Sequence, residues 1–225
     1  MMHEEAAASN LAATRSRLSI SVVAIAAVVA ALYAVVTLLS APIAFGVFQF
    51  RLSEAMMLLI ALGVVNPHNA LFKSSVQAVR PNRLGLAIAF GVTIGCFIAN
   101  YFNPGNLGPI DYFGGTFATG VAAWLTYKLA LNNKALNLYR SKQIKLSQIW
   151  QYLSFYVLPL PSVLLNGAIV GVYLPFLFTP ADEMSLYVIL SNVVIFSICE
   201  AVVVYVLGLL LLTLFLPQES KWWRV

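Results

Sequence analysis

Arg51 and Glu54 stand three residues apart in APIAFGVFQFRLSEAMMLL, the stretch Ala41–Leu59, at the start of an apolar segment. That interval makes neighbours on one helix face. An ionisable pair inside a membrane segment is costly, so it marks either a buried ion pair or a ligand site. Four further polar residues lie in or at the ends of apolar runs: Asn100, Asp111, Asn166 and Glu200. Carboxylates accept hydrogen bonds, and amides both donate and accept, so the set has the chemistry of a receptor for a small polar molecule. Glu200 is the sharpest of them, because its run contains no basic residue. A lone carboxylate there is a protonated structural acid, a proton relay or a ligand group. The others have plainer readings: Arg51 and Glu54 neutralising each other at a helix start, Asn100 and Asn166 bonding between helices, and Asp111 capping a helix.

The elements that hold these residues follow from composition. The chain has 225 residues, 61% of them hydrophobic and 9% charged. Several runs approach the roughly 20 residues that cross a bilayer. This predicts an all-α membrane protein with six transmembrane helices in one domain, residues 18–216, between an N-terminal tail (1–17) and a C-terminal tail (217–225). The spans are expected over 18–40, 50–65, 84–101, 112–131, 152–178 and 186–216, the fifth interrupted by Pro159 and Pro161. The first run is too long for a signal-peptide core and is read as a retained span.

Charge threads them. Of 13 Lys and Arg residues, all but Arg51 fall in the N-tail, in Asn66–Arg83, in Lys128–Lys145 or in the C-tail. The positive-inside rule then puts both termini and both basic loops in the cytoplasm, and the plasma membrane is the expected location. The net charge of +5 is a topology signal, and nucleic acid need not be invoked. In this threading Arg51, Glu54, Asn100 and Asp111 lie in the outer half. Asn166 and Glu200 lie about 12 and 14 residues in, roughly 18 and 21 Å deep by helix rise. Asn192, Phe196 and Glu200 share one face of the sixth span and lead from the outer mouth to the carboxylate.

Most catalytic chemistry is excluded. There is no GxxxxGK[ST] phosphate loop, no H-E-x-x-H and no G-x-S-x-G, and His3 and His68 both lie outside the spans. Cys96 and Cys199 fall in apolar runs and make no metal site. No enzyme activity, cofactor or metal is expected; binding or transport is.

The segments APIAFGVFQFRLSEAM, GCFIANYF with GPIDYFGGTFATG, LPSVLLNGAIVGVYL and CEAVVVYVLG occur in that order, from Ala41 to Gly208. Together they resemble the QueT family, six-helix substrate-binding (S) components of energy-coupling factor transporters predicted to take up queuosine precursors. The resemblance implies capture of the ligand from outside, then delivery through a transmembrane coupling subunit and two ATPase subunits. The absent phosphate loop suits a chain whose partners hydrolyse ATP. The site it implies comprises Glu54, Asn100, Asp111, Asn166 and Glu200, with Arg51, Gln49, Phe48, Asn192 and Phe196; Phe45 and Tyr112 are further stacking candidates. It implies docking of the coupling subunit on the small residues of the first span, Ala26, Ala27, Ala30, Ala31 and Ala34. A deazaguanine presents a ring N–H beside an exocyclic amine, which one carboxylate can accept together. An aminomethyl substituent would ask for a second acid; the base, its aminomethyl form and queuine all remain open. The alternatives are an S component for another small nutrient, a stand-alone proton-coupled carrier using Glu200, and a structural membrane protein.

Overall fold

The computed structural model describes residues 22–45, 48–65, 83–105 and 108–216. The predicted tails, residues 18–21 of the first span and most of the basic loop Asn66–Arg83 lie outside them. Helix α1 (residues 22–40) is Ala- and Val-rich and ends where Pro42 cannot continue the pattern, running out through the 3-10 turn Ala41–Ile43. A short hairpin follows, with β1 (Ala44–Phe45) antiparallel to β2 (Phe48–Gln49). The all-α expectation did not include it. Its Phe-rich residues suit extended backbone, which the helical periodicity of the flanking runs hides.

The second span departs furthest from a regular helix. Residues Leu52–Leu58 form a 3-10 helix and only Leu59–Val65 (α2) is α-helical. A 3-10 helix rises about 2.0 Å per residue against 1.5 Å, so these two seven-residue pieces reach roughly 24 Å. The rest of the chain gives α3 (Arg83–Phe102), α4 (Pro109–Leu131), the short α5 (Lys134–Arg140) and a broken fifth segment. That segment is α6 (Leu153–Tyr156), α7 (Leu160–Tyr173) and α8 (Pro175–Phe178). Pro161 and Pro175 stand in first turns, where a missing N–H costs nothing. The last segment is α9 (Leu186–Ala201), a π-helical stretch Val202–Gly208, and α10 (Leu209–Phe215).

Among the described residues, four helices are long and apolar enough to cross a membrane: Val22–Ile43, Arg83–Phe102, Leu153–Phe178 and Leu186–Phe215. Helix α4 matches them in length at 23 residues, but Asp, Thr, Gly and Lys side chains make it less apolar. The Leu52–Val64 segment is apolar and shorter. Large hydrophobic side chains such as Phe90, Phe117, Leu164, Val194 and Leu214 point outward, as lipid-facing residues do.

Helix α3 packs on α4, α4 on α7, and α7 on α9. The 3-10 segment packs against the π-helical one, where Gly208 faces Leu58 and the Ala55 carbonyl. The main apolar core, with Met57, Ile60, Tyr127, Leu136, Phe155 and Leu212, fills one half of the bundle. Gly85 contacts Tyr127, so Arg83, Lys128 and the basic segment after α4 gather at that end. A smaller cluster of Ala118, Val170, Leu174 and Phe196 lies toward the other end, with the polar residues between.

Helix α1 seats directly on α3. A Cβ added at Gly91 would stand 2.6 Å from the Ala26 carbonyl oxygen, and one at Gly95 only 2.7 Å from that of Ala30. Small residues allow this approach. Ala30 and Ala34 are therefore buried by the chain itself and Ala26 half-buried, while Ala27 and Ala31 are exposed. Of the five alanines expected to dock a partner, those at 26, 30 and 34 thus form a stripe turned toward α3, and only Ala27 and Ala31 beside it face outward. Gly95→Leu is expected to cost at least about 2 kcal/mol of stability, because the overpacked atoms include backbone. Thermal unfolding in detergent would check it, with Ala31→Leu unchanged beside it. A Gly95→Leu protein as stable as the parent would contradict the seating of α1.

Candidate functional site

The polar residues form a buried network and a second polar group beside it, together drawn from six helical segments. Glu54, in the 3-10 helix, is fully buried. Its Oε1 accepts from the Tyr33 hydroxyl of α1 at 2.5 Å and from Thr119 of α4 at 3.0 Å. Its Oε2 faces the Ser162 hydroxyl of α7 at 3.4 Å. Ser162 also reaches Glu200 Oε1 of α9 in a short hydrogen bond, and Asn166 Nδ2 donates to the same oxygen at 2.9 Å. Ser162 thus stands between two carboxyl groups, and its single proton can serve one at a time. Glu200 Oε2 is buried and has no hydrogen-bond partner among the described residues.

A second layer lies next to it. Asn100 Nδ2 donates to Cys96 Sγ at 3.4 Å, and the Cys96 thiol reaches Thr119, linking the layer to Glu54. Arg51 Nη2 lies 4.0 Å from Asp111 Oδ1, its Nε donates to Gln49 at 3.2 Å, and its guanidinium sits 6.0 Å from the Phe196 ring centroid. The Tyr173 hydroxyl donates to Asp111 at 3.1 Å. Gly115 leaves the room these groups use: a Cβ there would meet Asn100 Nδ2 at 2.8 Å and Arg51 Nη1 at 3.4 Å.

Most of the predicted site residues are thus brought together: Gln49, Arg51, Glu54, Asn100, Asp111, Asn166, Phe196 and Glu200. Asn192 is buried on the same face of α9, with its Nδ2 on the Val188 carbonyl and its Oδ1 unpartnered. Phe48 is 56% exposed and stays outside the network. Tyr112 packs into an aromatic group with Phe97, Tyr101 and Phe113, and the Phe45 side chain lies outside the described residues.

Three expectations are corrected. Arg51 and Glu54 do not pair with each other. Arg51 is the residue before the 3-10 helix, with extended-side ψ of 89°, so the helix-face spacing does not apply to it. Asp111 does not cap α4; Gly108 precedes the helix, and the Asp111 carboxylate turns inward to Tyr173 and Arg51. Glu54 and Glu200 do not lie at separate depths, since both reach Ser162, and Glu200 is not solitary.

Sequence reasoning missed Tyr33, Ser162, Thr119 and Tyr173. Hydroxyls are ordinary in membrane helices, and only Tyr33, alone in an Ala/Val run, carried a visible signal. A shallow groove of about 390 Å³ beside Thr93, Phe117 and Trp124 lies on the outer face of α3 and α4 and contains no ionisable side chain.

The model of the QueT transporter family matches residues 23–216, which takes in the buried polar residues and all but the first residue of the described helices. The chain belongs to the QueT transporter family. No curated protein and no solved structure gave a match. Family membership makes it a multi-pass membrane transporter of a small molecule rather than an enzyme. In a QueT transporter, a buried set of acids and amides drawn from nearly every helix is the natural candidate for the substrate site, because such groups are costly in a membrane without a role.

Proposed function

We propose that this QueT family member is the substrate-binding component of an energy-coupling factor importer, and that it captures a deazaguanine queuosine precursor from outside. One observation carries the reading: two carboxyl groups, two amides and several hydroxyls converge in a single buried cluster. Carboxylates suit the adjacent N–H donors of a deazaguanine, and Asn166 and Asn100 suit its carbonyl and ring nitrogens. Because Glu54 and Glu200 are fully buried, the ligand enters by displacing side chains above them. In this proposal the chain has six spans with both termini cytoplasmic, and a coupling subunit and two ATPases complete the importer. The exposed Ala27 and Ala31 are the docking residues, since small side chains permit close helix approach.

Mass spectrometry of the small molecule that co-purifies with detergent-extracted protein tests the substrate. A deazaguanine is expected; a different nutrient would redirect the reading to another substrate. Uptake that persists without ATPase subunits would favour a proton-coupled carrier instead. For the threading, Lys134→Cys in intact cells should resist an impermeant thiol reagent, whereas Gly105→Cys should react; labelling of Lys134→Cys would refute cytoplasmic placement of that loop. For docking, Ala31→Leu should cut transport by the assembled complex at least about tenfold and leave binding by the isolated chain unchanged. Loss of both together would move Ala31 from docking to the fold.

A further inference from the structure

We propose that the groove on the lipid-facing side of α3 and α4 holds an acyl chain of an anionic phospholipid, whose phosphate lies between Lys128 and Arg83. The site is separate from the buried cluster and does not depend on what that cluster binds. On α4, Phe113, Phe117, Gly120, Trp124 and Lys128 follow one another at intervals of three and four residues, one stripe of the helix. On α3, Arg83, Leu86, Phe90 and Thr93 do the same. Gly85 meets Tyr127, Gly120 meets Thr93 and Gly115 meets Asn100, so the two helices run antiparallel. Both stripes therefore finish in a cation at the same end of the bundle. Arg83 and Lys128 are exposed, and neither has a carboxylate in salt-bridge contact among the described residues.

Between the stripes the surface is recessed by about 390 Å³, with walls that include Phe113, Phe117, Val121 and Trp124. Gly120 keeps the recess open, since a Cβ there would stand 3.0 Å from the Thr93 methyl carbon. The Thr93 hydroxyl turns away to the Ala89 carbonyl at 2.9 Å, so its methyl group faces α4. A hydrocarbon chain fills such a recess by dispersion contact alone. From Lys128 back to Phe117 the helix rises roughly 16 Å, about one leaflet of a hydrocarbon core roughly 30 Å thick. Lys128 Nζ lies 5.5 Å from the Trp124 ring centroid, which holds the ammonium at the end of the groove. Tryptophan and lysine belong at the membrane interface, the level of lipid phosphates. An anionic headgroup there meets two cations, whereas a choline headgroup brings its own positive charge to them. Lys134, Arg140, Lys142 and Lys145 follow α4 and add to the attraction for anionic lipid.

Native mass spectrometry of the full chain in detergent, titrated with phosphatidylglycerol or phosphatidylcholine of identical acyl chains, tests the site. One phosphatidylglycerol is expected to bind at least about fivefold tighter than phosphatidylcholine. Lys128→Gln and Arg83→Gln should each remove most of that preference, while Lys142→Gln, off both stripes, keeps it. Val121→Trp fills the groove from the lipid side and should weaken both lipids at least about fivefold. Equal binding of the two lipids by the parent would overturn the headgroup contact. A preference untouched in Lys128→Gln and Arg83→Gln would overturn its placement, and binding undiminished in Val121→Trp would remove the chain from the groove. Displacement of the lipid by excess inorganic phosphate would make this a phosphate site and overturn the lipid as occupant. The comparison on the parent decides the headgroup preference even if a variant fails to fold.

Discussion

Arg51→Leu is expected to lower stability by about 3–5 kcal/mol, the cost of breaking a buried pair and leaving one charge behind. Arg51 and Asp111 side chains are only 10% and 8% exposed, so water cannot take the place of the lost partner. The guanidinium also holds Gln49 and lies against Phe196, so its loss loosens the contact of the hairpin with α9. Arg51→Leu/Asp111→Leu should recover most of the loss, because removing both charges of a buried pair is often neutral. Thermal unfolding of parent, single and double variants in detergent reads the effect directly. A single variant as stable as the parent would mean that the 4.0 Å approach contributes nothing.

Glu200→Gln is expected to reduce affinity for the ligand at least about tenfold while leaving the ligand-free protein as stable as the parent. The glutamine carbonyl can keep the bonds that Glu200 Oε1 accepts from Ser162 and Asn166. Its amide nitrogen would take the place of Oε2, which loses no partner within the described residues. The ligand fares differently, since a donor now faces its donor. An unmet buried polar group costs about 1–3 kcal/mol, and more when charged, which converts to tenfold or beyond. Calorimetry gives the affinity and a melting curve the stability. Unchanged affinity would remove Glu200 from the site and leave it a structural acid.

The polar residues of the site were legible because an ionisable or amide side chain in an apolar run stands out by its cost. Arg51, Glu54, Asn100, Asp111, Asn166 and Glu200 are all buried. Their partners were not legible. Spacing along a helix suggested Arg51 with Glu54, but partner choice is made between helices: Arg51 turns to Asp111, and Glu54 to Tyr33, Thr119 and Ser162. Helix limits lay close to the expected ones in two places, α3 within a residue at each end and α4 starting three residues early at Pro109. The 3-10 and π-helical stretches did not, because apolar residues satisfy several helical periods and the choice rests on the packing of Ala55 and Leu58 against Gly208. The alanine pattern showed a close contact but not its direction, which is set by Gly91 and Gly95 of α3.

The central claim is that the buried cluster between Glu54 and Glu200 is where the substrate binds. A structure of the chain with aminomethyl deazaguanine bound tests it most directly. The account predicts the ligand within hydrogen-bond distance of Glu200 Oε2, beside Asn166 and Phe196, with the Arg51–Asp111 pair retained above it. Ligand seated in the outer groove at Thr93 and Trp124, with the cluster closed and unchanged, would contradict it.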